Sequence, residues 1–261
     1  MGLFDKKDCA ICGAKIGLLG NRKLEDGNCC KDCAKKLSPW FSERRRSTIA
    51  DIEAQLAYRE ANKADVARFN VTRTLGMGTK VLLDEDAGKF MVTSAKKWQD
   101  ENPDVMDFSQ VTGCNLKIAD HKRELTQRDR DGKQVSYRPP RYVYDYNFTM
   151  IINVNTPWFD EISFRLNNST VSIEPSANTG GGIINIIGGV LDSGINNAEF
   201  RQYEALGEEI KGALTKVRQD VRDGVITAAA PKVAQTCPQC GATTMPDANG
   251  RCEYCGGAVA G

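Results

Sequence analysis

The chain has 261 residues, 35 Lys+Arg against 34 Asp+Glu, one His and ten Cys. That length suits one or two ordinary domains with a sizeable core, and 41% apolar residues at near-zero net charge exclude a wholly disordered, collagen-like or strongly nucleic-acid-coating protein. One histidine excludes an HExxH protease site, a two-Cys two-His finger and a three-His catalytic centre within the chain, so the cysteines point to structural sites built from thiolates.

The start, Met1 to Lys7, is short and polar with no secretory pattern, and no apolar run is long enough to span a bilayer. The expectation is a cytoplasmic protein in a reducing compartment, where paired cysteines hold metal more often than they form disulfides. Cys9 and Cys12 are answered by Cys30 and Cys33 after 17 intervening residues. Two residues between cysteines let one tight turn aim both sulfurs at a single ion, and the second pair closes a tetrahedron. A thioredoxin-like redox reading of CxxC needs a surrounding α/β unit, which neither end of the chain has the length to supply. Between the pairs, Gly20-Asn21 and Asp26-Gly27 are turn signals beside short strands, and Lys31 to Leu37 has helix formers that Ser38-Pro39 stops. A knuckle, a hairpin and a last Cys pair at a helix start resemble a treble-clef or LIM-like finger, assigned to residues 1–46. Cys29 is either a competing ligand or a spare buried thiol, and Cys30 gives the matching spacing.

Residues 47–70 read as a helical connector. Ser47 is the expected N-cap near Asp51, Ile49, Ile52 and Leu56 recur at helical spacing, and the polar stretch from Ala57 to Asp65 predicts a stalk rather than a core element. From residue 71 to 222 the period changes. Lys80–Leu83 and Lys89–Val92 flank Asp84-Glu85-Asp86 as a hairpin. Cys114, Leu116 and Ile118 alternate, as do Tyr142, Tyr144, Tyr146, Phe148 and Met150, then Ile162, Phe164 and Leu166, then Val171 and Ile173, for six or seven strands in all. Phe200, Tyr203, Leu206, Ile210, Leu214, Val217 and Val221 mark one amphipathic helix. Antiparallel strands closed by a helix make an α+β fold that resembles the pleckstrin-homology-like or GRAM-like sandwich or barrel, here flanked by two small zinc modules. Within it, Cys114 is in phase with the core, His121 reads as a solvated loop residue, and the carboxylates at 84–86 as turn chemistry. Lys117 to Arg141 holds eight Lys/Arg and four Asp/Glu and reads as a long exposed hairpin loop. The Gly-rich stretch 175–194 lacks the Gly-Lys-Ser/Thr of a phosphate cradle and reads as a mobile loop or an apolar docking patch. Residues 223–236 form a linker. The last segment, 237–261, pairs Cys237 and Cys240 with Cys252 and Cys255 across 11 residues, as a minimal zinc ribbon. Two structural zinc ions follow, on eight thiolates.

The motifs CxxCG at Cys9, Ile16-Gly17-Leu18-Leu19-Gly20, Lys23-Leu24-Glu25-Asp26-Gly27, CxxC at Cys30 and Lys36-Leu37-Ser38-Pro39 together resemble a family of uncharacterised bacterial proteins that begin with a zinc-finger domain of unknown function. The resemblance covers about the first 75 residues and places the ligands on Cys9, Cys12, Cys30 and Cys33. It implies a following pleckstrin-homology-like region and no activity.

Sites closed by four thiolates leave no position for a catalytic water, so the expectation is a non-enzymatic adaptor or scaffold with a protein partner and no small-molecule substrate. One alternative is nucleic-acid binding through the basic first 46 residues, where Trp40 and Phe41 adjoin Arg44-Arg45-Arg46. The other is peripheral contact with an anionic membrane through the loop ending at Arg138 and Arg141 or through the Gly-rich stretch.

Overall fold

The computed structural model describes residues 7–174, 197–229, 235–244, 251, 252 and 254–259. The Gly-rich stretch 175–194 and residues 230–234 of the expected linker lie outside them. The chain is mixed α and β, mostly antiparallel sheet with few helices, and splits into two compact units, Met1–Val217 and Arg218–Gly261. No helix among the described residues is long and apolar enough to cross a membrane.

In the first unit, β1 (Lys7–Asp8) pairs with β2 (Lys15–Ile16), β3 (Asn21–Lys23) pairs with β4 (Asn28–Cys30), and α1 (Lys31–Ala34) follows directly. A short 3-10 turn, Glu43–Arg46, leads into α2 (Ile49–Arg68). The N-cap is Thr48 rather than the expected Ser47. Thr48 stands three residues before Asp51, so each side chain takes the other's backbone N–H, at 3.2 and 2.9 Å, while the Ser47 hydroxyl donates to the Glu43 carbonyl and closes the 3-10 turn.

The polar centre of α2 is not a solvated stalk. Ile52, Gln55, Arg59, Asn62 and Val66 form one buried stripe. Arg59 donates to the Lys36 carbonyl at 3.4 Å, to Asp104 at 2.6 Å and to the Asn102 carbonyl, and Asp104 also accepts from Ser38 at 2.7 Å. Asn62 donates to the Pro103 carbonyl and accepts from the Val105 amide, at 2.8 and 2.9 Å. Burial pushes the Asp104 carboxyl up against the pull of Arg59 and Ser38. Arg59 and Asn62 can line a buried face because they find such partners, whereas the buried Gln55 amide has no hydrogen-bond partner among the described residues.

Next comes a four-stranded meander of β5 (Arg73–Leu75), β6 (Lys80–Asp84), β7 (Lys89–Thr93) and β8 (Val105–Asp107), with α3 (Trp98–Glu101) before β8. β5 and β8, three residues each, are too short to show alternation in sequence. Both faces of this sheet are covered. Val81, Leu83, Phe90, Val92 and Met106 enter the main core, whereas Leu82, Met91 and Val105 pack on Val66, Phe69 and Trp98.

The second sheet centres on β10 (Gln134–Val154), with β9 (Val111–Arg128) along one edge and β11 (Glu161–Arg165) and β12 (Val171–Ile173) end to end along the other. Asn167 fills the gap between β11 and β12: it is buried, accepts from the Phe148 amide at 2.8 Å and donates to the Ser169 carbonyl at 2.7 Å. Every second residue from Tyr146 to Val154 is buried. Before Tyr146 the phase changes, so Val143 is buried while Tyr142 and Tyr144 are half-buried. The expected loop 117–141 is mostly strand, because β9 and β10 stay paired out to Arg128 and Gln134 and only the tip, 129–133, turns. α4 (Ala198–Ala229) is longer than the stretch 200–221 read from its pattern and includes the first residues of the expected linker. Its Phe200, Tyr203, Ile210, Ala213 and Leu214 join both sheets in one core. In the second unit, β13 (Gln235–Thr236) pairs with β14 (Thr243–Thr244), and Arg251 bridges Ala258.

Candidate metal centres

Three of the four CxxC pairs adopt one local structure. After Cys9, Cys237 and Cys252 the chain turns so that the amide of the glycine four residues on, Gly13, Gly241 or Gly256, donates to the cysteine carbonyl at 2.8 Å. A second bond at 2.9 Å, from the cysteine amide to Ala14, Ala242 or Gly257, closes each knuckle. These three glycines have φ of 71, 72 and 70°, a left-handed conformation that costs glycine little and other residues more. The fourth pair is built differently. Cys30 is the N-cap of α1, and its sulfur accepts from the Cys33 amide at 3.3 Å, so the helix start orients both thiols.

The sulfurs of Cys9, Cys12, Cys30 and Cys33 lie within 4.8 Å of one another, and those of Cys237, Cys240, Cys252 and Cys255 do the same. Individual separations are 3.8 Å for Cys12 to Cys30, 3.6 Å for Cys237 to Cys255 and 3.8 Å for Cys240 to Cys252, far from a disulfide bond length. Each group could hold a metal ion. The spacing thus brings together the eight cysteines that it singled out.

Backbone amides tune these thiols. Burial works against ionisation of Cys9, but the amides of Cys12, Cys30 and Ile11 outweigh it and hold the thiol at about 6. Burial and hydrogen bonds from neighbouring thiols push Cys33 strongly up. The second site repeats the division: burial opposes ionisation of Cys252, the amides of Cys255 and Tyr254 prevail and hold it at about 6, and the Cys240 amide lowers Cys237. Cys255, although the Gly257 amide favours its thiolate, is pushed up to about 12 by hydrogen bonds with Cys240 and Cys237. Four sulfurs this close cannot all ionise without a cation among them, which is the condition that a metal removes.

The other singled-out residues are placed elsewhere. Cys29 is fully buried, donates to the Cys30 carbonyl at 3.4 Å and is raised to about 11 by burial and by Cys9 and Cys30, so it stands outside the four-sulfur cluster. Cys114 lies in the main core, and burial raises it to about 12. Asp84 accepts the Asn70 and Ala87 amides at 2.9 and 3.0 Å, one on each oxygen. His121 is exposed and opposite Asp145 in the β9–β10 ribbon. Trp40 packs on the main core and Phe41 on the finger core, edge-on to Trp158 at 6.3 Å. The group that sequence reasoning missed is Arg59–Asp104–Ser38. Its only trace is the recurrence of Gln55, Arg59 and Asn62 at helical spacing, a stripe that looks like surface.

Residues 7–55 match the model of a domain of unknown function, DUF4428, a span covering the finger and the first turns of α2. That end point suits the packing, since Ile52 belongs to the finger core. No curated protein and no solved structure matches the chain.

Proposed function

We propose that the protein is a non-enzymatic zinc adaptor: two structural zinc ions, one in each cysteine cluster, brace modules beside a pleckstrin-homology-like domain that binds another protein. The observation that carries the metal reading is the 3.6–3.8 Å sulfur separation, because four bonds of about 2.3 Å in a tetrahedron give edges of about 3.8 Å. Four thiolates around one ion suit zinc or iron, and zinc is the ion of closed structural sites. Such a site has no open position, and among the described residues Asp84 and His121 have no convergent partners of the kind that catalysis needs. Two four-stranded antiparallel sheets sharing one core with the apolar face of α4 support the pleckstrin-homology-like reading. Ten unbridged cysteines support a reducing, cytoplasmic location.

The β9–β10 ribbon supports a protein partner. It carries Arg123, Arg138 and Arg141 together with the half-buried Tyr137, Tyr142 and Tyr144, two of the residue types enriched in protein interfaces. Lys122 lies 3.9 Å from the centre of the Tyr142 ring on one face of the ribbon, and Arg141, which pairs with Glu174, lies 5.0 Å from that of Tyr137. Nucleic-acid stacking has less support, since Trp40 and Phe41 pack on protein.

Metal analysis of the untagged chain tests the first half, with about two zinc ions per chain expected. One ion, none, or iron in place of zinc overturns it. For the second half, crosslinking in the native cell should join one protein to Lys117, Lys122 or Lys133, with loss of those crosslinks in Tyr142→Ala/Arg138→Ala. No crosslinked partner, or one indifferent to the substitutions, overturns the adaptor reading, and salt-dependent retention of DNA or RNA in its place favours the nucleic-acid alternative.

A further inference from the structure

We infer that the turn between β2 and β3 is a shallow membrane anchor, in which Leu18 and Leu19 enter an anionic bilayer and the basic side chains beside them hold its head groups. Leu18 and Leu19 are 84% and 87% exposed, the most exposed large apolar side chains among the described residues. They are the two central residues of a β-turn closed by the Gly20 amide on the Gly17 carbonyl at 2.9 Å. Turn positions favour Gly, Asn, Asp, Ser or Pro, so turn chemistry does not ask for two leucines there, and neither touches a core.

The base of the turn is held firmly. Ile16 is buried in the finger core just before it, and Asn21 just after it pairs with Cys30, one of the candidate metal ligands. This inference therefore rests on the metal reading for the stiffness of the turn, though not for the placement of its leucines.

Charge identifies what the leucines meet. Arg22 donates to the carbonyls of Leu19 and Asn21 at 3.3 and 3.2 Å, which fixes its guanidinium at the tip. Arg44 donates to the Lys23 carbonyl at 3.2 Å and is lowered by burial and by the nearby Arg22, so the cations crowd one another. Among the described residues, no carboxylate pairs with Arg22, Lys23, Arg44 or Arg45, whereas Lys15 has Asp8 and Arg46 has Glu43. A convex apolar tip beside uncompensated cations matches an anionic lipid surface, where apolar insertion and head-group attraction add and neither alone binds firmly. Leucines do nothing for nucleic acid, and a protein would have to supply a groove for a protruding turn. The site is on the finger and uses none of the residues 138–141.

Vesicle sedimentation of the untagged full chain is the test, with phosphatidylcholine alone and with added phosphatidylglycerol. The parent should sediment only with the anionic vesicles and be released by salt. Leu18→Ser/Leu19→Ser should weaken partitioning by about tenfold or more, from lost apolar burial. Lys23→Glu/Arg45→Glu should weaken it by about tenfold or more, from lost head-group attraction. All these side chains are exposed, so both variants should keep the parent's metal content and melting temperature, measured on the same samples. A parent without metal overturns the zinc reading, while the vesicle result is scored independently of it. Equal sedimentation of parent and leucine variant, equal binding to neutral vesicles, or no binding by the parent overturns the anchor. Loss of a crosslinked protein in the leucine variant, with vesicles untouched throughout, also overturns it and makes the turn a protein-docking surface.

Discussion

The N-terminal finger buries Ile16, Leu24, Leu37 and Ile52 together with three of its four candidate ligands, whereas the buried cluster of the C-terminal ribbon is Cys237, Cys252 and Val259. The knuckles and sulfur separations are alike, so the difference lies in what surrounds them. Four buried aliphatic side chains contribute roughly 6–12 kcal/mol as an upper bound. A structural zinc contributes about 10–16 kcal/mol. With zinc bound, the finger would have both terms. The ribbon, among its described residues, would have little besides the metal, and its described strands are two residues each.

Removing metal is the largest perturbation that separates the two. Cys252→Ser should lower the zinc content from about two to about one per chain and collapse the ribbon amide resonances to random-coil shifts, with the finger unchanged. Cys33→Ser should also release one zinc, yet the amides of α2 should stay dispersed, because Ile52, Arg59, Asn62 and Val66 remain packed. A ribbon that keeps dispersed amides without metal would erase the distinction, and so would an α2 that melts with the finger's zinc.

The metal clusters were legible because a knuckle is local: CxxC followed by glycine specifies its own turn, and the four-sulfur groups assemble from pairs whose spacing is visible in the sequence. Alternation from Tyr146 to Met150 and the heptad-like run from Phe200 to Leu214 were legible for the same reason, since burial leaves a period. What stayed hidden was polar or long-range. Arg59 and Asn62 are buried because Asn102, Pro103, Asp104 and Val105, some forty residues later, supply their partners, and composition carries no sign of that meeting. The β9–β10 ribbon hid for the opposite reason. Beyond Ile118 its backbone pairs while its side chains stay mostly exposed, so no apolar period marks the strands.

Arg59 is the next sharpest point, because it ties the finger to the sheets. It holds the Lys36 carbonyl on one side and Asp104 with the Asn102 carbonyl on the other, with the ion pair 8% and 0% exposed. Asp104→Ala leaves a buried guanidinium without its counter-charge and should cost about 3–5 kcal/mol, read by urea unfolding with tryptophan fluorescence. Arg59→Met/Asp104→Leu should recover most of that loss, since an apolar pair of similar size avoids desolvating two charges. A single variant as stable as the parent would show that the finger is no better fastened than a module on a tether.

The smallest effect concerns where α2 begins. Thr48→Ala removes the side-chain acceptor of the Asp51 amide and should cost about 1 kcal/mol in thermal unfolding. The pH dependence of this cap has a definite sign. The Thr48 amide, then its hydroxyl, hold the Asp51 carboxyl below the ordinary carboxylate range. A depressed folded-state pKa gives stability that is present above the unfolded value of about 3.9 and is lost as pH falls through the folded value. Asp51→Asn should therefore unfold at a lower temperature than the parent at neutral pH, with the gap closing in acid. Both chains shed metal alike at low pH, so the difference between their melts isolates the carboxylate. A gap that persisted below pH of about 2 would mean that the Asp51 charge contributes nothing to the cap, and that the substitution acts through the shape and hydrogen bonding of the side chain at 51.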